Sequence, residues 1–159
     1  GPNLIGKPYN FKVVHILELL DDLRQQGRLK ISGHLKQRLT YHDPCQISRR
    51  GGVIDEPRNL IGMFADNFVE MPDTGKMNWC CGAGGGVSAN EDADELRLSA
   101  FKRKKSQLEE LGVDALVTAC ANCRLTLEEG LEENDMDIPV IGLTEMLAEH
   151  LVQDKGEPS

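Results

Sequence analysis

Residues 79–87 read Trp-Cys-Cys-Gly-Ala-Gly-Gly-Gly-Val, and no other stretch restricts the fold as strongly. Neighbouring side chains on an extended backbone point to opposite sides, so an ordinary strand would part the sulfurs of Cys80 and Cys81. The glycines that follow open backbone conformations closed to other residues and let the chain pass closely around a bulky object. Three further thiols come from elsewhere, Cys45 before this stretch and Cys120 and Cys123 after it. The five are read together as one metal site.

Five is an odd number of cysteines, which suits a disulfide framework poorly. Adjacent cysteines bond to each other only under strain, and the later Cys-x-x-Cys spacing favours metal or redox chemistry. A reducing compartment, the cytoplasm, is expected. The 159 residues are enough for one domain with a real hydrophobic core. A net charge of −8 argues against nucleic acid, whose phosphates need a basic face. No apolar run approaches a membrane span and no signal peptide opens the chain, so direct membrane insertion is not expected. A membrane-bound partner is compatible with this. Gly1-Pro2 looks like the remnant of a cleaved tag, residues 3–152 form one domain of a longer subunit, and residues 153–159 are expected to be a flexible tail.

In chain order, Val13, Ile16, Leu17, Leu20 and Leu23 recur at helical spacing and predict a helix over 12–26, ended by Gly27. His15 near its start is read as a partly buried structural histidine, with a hydrogen bond to a nearby sulfur as the sharper alternative. Residues 38–41 predict a strand running into His42-Asp43-Pro44-Cys45. Asp43 as cap and Pro44 at the first position predict a helical turn there, in which backbone N–H groups would favour a Cys45 thiolate. The polar stretch 48–52 is either a solvated loop or a substrate-facing one. A helix over 57–67 and a strand over 68–71, closed by Pro72, lead to Trp79, expected to pack over one side of the site. The longest helix spans 92–111, and the basic run 102–105 reads as a solvated face. A central strand over 114–118, a helix through Glu133, a strand over 138–141 and a helix over 144–152 capped by Thr144 complete the chain.

This alternation predicts an α/β fold, a mainly parallel sheet of about four strands flanked by helices. Ligands gather at the carboxyl ends of such strands. Cys45, the Cys80–Cys81 pair and Cys120 each follow a predicted strand, so the cysteines should converge at that carboxyl edge.

The spacing is C-x34-C-C-x38-C-x2-C. A structural zinc takes four ligands and leaves one thiol spare. A redox dithiol at Cys120 and Cys123 leaves Cys80 and Cys81 without a role. An iron–sulfur cluster accepts several thiolates and suits a glycine-rich loop, in which Gly82, Gly84 and Gly85 are the candidates to approach the cofactor and donate N–H groups to sulfide. An ordinary cubane uses four cysteines, so a fifth points to something irregular.

The order His42-Asp43-Pro44-Cys45, then Cys80-Cys81-Gly82, then Cys120-x-x-Cys123 resembles the cysteine-rich CCG domain. That domain occurs in the catalytic B subunit of heterodisulfide reductase and in iron–sulfur subunits of lactate, glycolate and glycerol-3-phosphate oxidising systems. Tyr41–Cys45 and Ser48-Arg49-Arg50-Gly51-Gly52 look most like the heterodisulfide-reductase-like iron–sulfur subunit of the membrane complex linked to dissimilatory sulfite reductase. The resemblance covers nearly the whole chain. It implies a non-cubane 4Fe–4S cluster held by Cys45, Cys80, Cys81, Cys120 and Cys123, and reductive cleavage or formation of a disulfide or trisulfide on a small thiol or carrier protein. It also implies partner subunits of a membrane-bound redox complex, and since runs binding ordinary cubane clusters are missing from this sequence, those clusters are expected on the rest of the parent polypeptide or on partner subunits. His42, Arg49 and Arg50 are expected by the open side of the cluster, the imidazole delivering a proton and the arginines holding an acidic group, or else as surface charges. Two rival readings are a non-catalytic electron-transfer domain and a zinc-stabilised interaction module, and an isolated chain could also be empty or zinc-filled.

Overall fold

The computed structural model describes residues 10–152. Gly1-Pro2 and the expected tail at 153–159 lie outside the described residues. Three parallel strands form the sheet, β1 (Leu39–His42), β2 (Ala115–Thr118) and β3 (Val140–Gly142), in the order β1-β2-β3. Register pairs Tyr41 with Val117 and Val117 with Ile141. Among the described residues five α-helices flank it: α1 (Ile16–Gln25), α2 (Asp55–Ile61), α3 (Asp94–Leu111), α4 (Ala121–Glu132) and α5 (Leu143–His150).

Alternation along the strands divides the interior in two. Leu39, Tyr41, Ala115 and Val117 face one side, where Leu17 of α1, Leu60 and Ile61 of α2, and Met146 and Leu147 of α5 cover them. Leu116 and Val140 face the other, against Phe101 and Leu108 of α3 and Leu127 and Leu131 of α4. Cys81 and Cys123 belong to this second core, so the thiols are built into the layer that α3 and α4 close.

Several expected boundaries move. The fourth strand, over 68–71, is reduced to one parallel bridge between Phe68 and Leu39. The chain is drawn off there because the Glu70 carboxylate bonds Arg58 and Thr74, and Pro72 has no N–H to offer a ladder. The first helix starts at Ile16, because His15 is its cap: its Nδ1 accepts from Leu17 N–H at 3.2 Å and Glu18 accepts from its own N–H at 2.7 Å. Val13 therefore lies before the helix and is exposed. Gly62 caps α2 after Ile61, six residues before the expected end, and Gly142, not Thr144, caps α5. Gly112 terminates α3 in the left-handed conformation, as expected. Among the described residues no helix is long and apolar enough to cross a membrane.

The basic run 102–105 is not uniformly solvated. Arg97, Phe101, Lys104, Gln107 and Leu108 form the inward stripe of α3, and Lys104 is buried.

Candidate metal centre

His42 closes β1, Cys81 opens the glycine loop, and Cys123 lies in the first turn of α4. Their ligating atoms all lie within 4.8 Å of one another, and all three residues are buried. Leu39 and Tyr41 point to the first core, so strand alternation turns His42 to the thiol side. The Cys81 and Cys123 sulfurs are 3.3 Å apart.

The remaining thiols extend this centre. Cys80 interacts with Cys81 on one side and Cys45 on the other. Cys120 caps α4 two residues beyond β2, and with Cys80 packs against the core that holds Cys81 and Cys123. All five thiols thus gather at the carboxyl rim of the sheet.

Crowding disfavours free thiolates. The hydrogen bond to Cys123 pushes the Cys81 thiol up to about 11. Cys81 and burial push Cys80 up, and burial with Cys80 pushes Cys45 up. Main-chain N–H groups act the other way. Gly82 donates to Cys80 Sγ at 3.4 Å, Ala83 to Cys81, and Cys45 and Gln46 to the Cys45 sulfur. Such donors suit thiolates bound to a metal, which must first lose their protons.

Gly82 is required where it stands. Its φ of 93° is a backbone conformation that other residues rarely adopt, while an added Cβ would make only ordinary contacts with Ala100 and Arg97. Gly85 also has positive φ but faces open space, whereas Gly84 has neither constraint. Gly84–Ala89 is a kinked 3-10 segment with exposed glycines, so the N–H groups seen on sulfur come from Gly82 and Ala83 rather than from the later glycines.

The expected helical turn after Asp43-Pro44 forms differently. Cys45 caps one turn of π-helix, Gln46–Arg50, and Ser48 is buried with its hydroxyl donating to Pro44 O at 3.0 Å. Asp43 is not a cap. Its buried carboxylate takes a bidentate pair from Arg58 at 2.7 Å, the Gly75 N–H at 2.8 Å and the Thr74 hydroxyl, while Asn78 donates to its carbonyl. This network ties the Cys45 turn to the loop that leads into Cys80. Its signal in the sequence was only a charged pair separated by fourteen residues.

Arg49, expected at the open side of a cluster, belongs to the same fastening. Its Nε donates to Lys76 O at 2.7 Å and its Nη2 to Asn78 O, so its donors are committed to main chain. Arg50 is exposed beside Gln46. Burial, with the Lys104 ammonium, pulls the His42 imidazole down to about 3, which keeps the ring neutral. Neither ring nitrogen has a hydrogen-bond partner among the described residues. Trp79 packs on α3, donating to Ala100 O at 2.8 Å beneath the Arg103 guanidinium.

A cavity of about 540 Å³ opens beside Cys120 at the ends of β2 and β3, with Thr118, Arg124, Thr144 and Glu145 in its wall. Arg124 bridges Glu128 at 2.9 Å and Glu145 at 2.7 Å.

The donor set fits an iron–sulfur centre. Five thiols and an unpartnered imidazole exceed the four ligands a structural zinc takes. A buried polar ring left without partners ordinarily has an ion or ligand to face.

The family model described as a cysteine-rich domain, CCG, matches residues 39–128. The chain is 35% identical over 151 residues to a dihydromethanophenazine:CoB–CoM heterodisulfide reductase subunit of Methanosarcina barkeri, covering 94% of this chain and 36% of that protein. It is 36% identical over 137 residues to a fumarate reductase (CoM/CoB) subunit of Methanothermobacter marburgensis, covering 85% and 26%. It is 34% identical over 147 residues to the second iron–sulfur subunit of an Hdr-like menaquinol oxidoreductase of Archaeoglobus fulgidus, covering 87% and 26%. The chain therefore spans about a third or less of the length of these relatives.

Proposed function

The chain belongs to the cysteine-rich CCG domain family, and from that premise we propose that it is the cluster-holding domain of a heterodisulfide-reductase-like oxidoreductase. The observation that carries this reading is the meeting of five sequence-distant thiols at one rim of the sheet. Cys45, Cys80, Cys81, Cys120 and Cys123 would hold a non-cubane 4Fe–4S cluster. Such a cluster, when bound, supplies single electrons and an iron site with affinity for sulfur.

The protein's own groups have separable tasks. The N–H groups of Gly82 and Ala83 donate to the ligand sulfurs, and the neutral His42 ring brings a nitrogen to the same centre. The cavity beside Cys120 admits the substrate, a disulfide or trisulfide of a small thiol or carrier protein. Cleaving one sulfur–sulfur bond consumes two electrons and two protons, giving two thiols from a disulfide or a thiol and a persulfide from a trisulfide. The electrons come one at a time from subunits carrying ordinary iron–sulfur clusters, and bond formation is the same sequence reversed. The relatives are named as subunits of redox enzymes, which supports electron-supplying partners; the setting we propose is a cytoplasmic domain peripheral to a membrane-bound complex.

Anaerobic loading with iron and sulfide, followed by metal analysis, tests the centre. About four irons and four sulfides per chain are expected, with uptake reduced by serine at each of the five cysteines. One tightly held zinc without sulfide would overturn it. Catalysis is tested separately by oxidising the loaded chain with substrate thiol: a new paramagnetic signal broadened by isotopic labelling of that sulfur supports it, and its absence leaves an electron-transfer domain.

A further inference from the structure

The inward stripe of α3 carries a lysine where an apolar residue would be expected. Lys104 is 1% exposed, and its Nζ lies 3.6 Å from Met71 Sδ, a weak acceptor. Among the described residues no carboxylate lies within ion-pair distance of it. A buried ammonium without a partner is costly, and interiors ordinarily pair or neutralise such charges. The carboxylates that face it are already engaged. Asp73 holds Arg103 at 2.6 Å and Gln107, and Asp43 holds Arg58. Met71, which the Lys104 Nζ touches, packs in one core with Cys81 and Cys123, and the charges of these thiols act on Lys104 as Lys104 acts on His42. Burial pulls Lys104 down to about 8, which still leaves it charged at neutral pH.

We propose that Lys104 is the buried counter-charge of the thiol centre, a fixed cation behind Cys81 and Cys123 that offsets the negative charge of a bound cluster and so sets the potential at which it accepts an electron. This rests on the centre being an iron–sulfur one. Each electron taken up adds one negative charge, and a nearby cation in a low-dielectric interior favours that charge. Arg58 and Arg103, by contrast, are neutralised by their own carboxylates.

Lys104→Met, similar in length and uncharged, tests the charge, with Lys104→Arg as its control. In the anaerobically loaded chain, Lys104→Met should shift the oxidised-to-reduced ratio at fixed potential about tenfold, a fall of about 59 mV in the midpoint, and Lys104→Arg should recover most of it. An unchanged midpoint in Lys104→Met, or an equal fall in Lys104→Arg, overturns the proposal. Cluster uptake lost in Lys104→Met and kept in Lys104→Arg supports it, whereas loss in both folded variants overturns it. In the metal-stripped chain the ammonium lacks its counter-charge, so Lys104→Met should unfold at higher urea concentration than the parent; a lower midpoint counts against the proposal. If the parent chain takes up only zinc, the cluster reading fails, and the stripped-chain comparison still decides whether Lys104 is an uncompensated charge.

Discussion

Arg49 joins two parts of the chain that both lead to cysteines, the turn after Cys45 and the loop before Cys80. Hydrogen bonds from a charged donor contribute about 1.5–3 kcal/mol each at most. Arg49→Ala should therefore cost about 1–3 kcal/mol in urea unfolding and raise the alkylation rate of Cys80 in the metal-free chain. Lysine at this position should not restore either, because one ammonium cannot match a fork set between two carbonyls. Unchanged Cys80 reactivity in Arg49→Ala would return Arg49 to the surface charges. At this scale the cysteines and Gly82 were legible, since thiol chemistry and a positive φ belong to the residue itself. The partners of Arg49, Asp43 and His42 were not, because they are supplied by segments distant along the chain.

Between elements, α3 is held to the loop before it by Asp73, whose carboxyl Arg103 and then Gln107 hold below the usual range. A lowered folded-state value means stability that is present above the unfolded pKa, near 3.9, and lost as pH falls through the folded value. Asp73→Asn should thus lower the urea midpoint at neutral pH, with the gap from the parent closing in acid below about pH 4. A gap that persists undiminished in acid would assign the loss to packing. On its inner side α3 meets α4 where Gly130 leaves room for the Phe101 ring, and a Cβ there would overlap it. Gly130→Ala should cost about 1–3 kcal/mol with helical content retained, read by thermal unfolding and circular dichroism. The order of strands and helices was visible in hydrophobic spacing, as were the ends at Gly27 and Gly112. The missing fourth strand was not, because Glu70 has β-compatible neighbours and leaves the sheet only for the guanidinium of Arg58.

For the molecule as a whole, apolar packing lies on both faces of the sheet, and the first core contains none of the cysteines. Chelation should therefore lower the thermal midpoint of a loaded chain while leaving most of its far-ultraviolet signal, unlike a small metallo-domain that unfolds without its ion. Complete loss of helical signal on chelation would show that the second core depends on the metal.

The residues alone determined that this is a layered α/β chain in which Cys45 and Cys120 follow strands, because side-chain period, glycine conformation and cysteine chemistry act locally. Only the tertiary structure decided that the basic face of α3 hides a buried cation, that Arg49 fastens a loop, and that His42 stands neutral against two sulfurs. Charge state and partnership depend on what surrounds a group once the chain has closed, and local sequence does not contain that information.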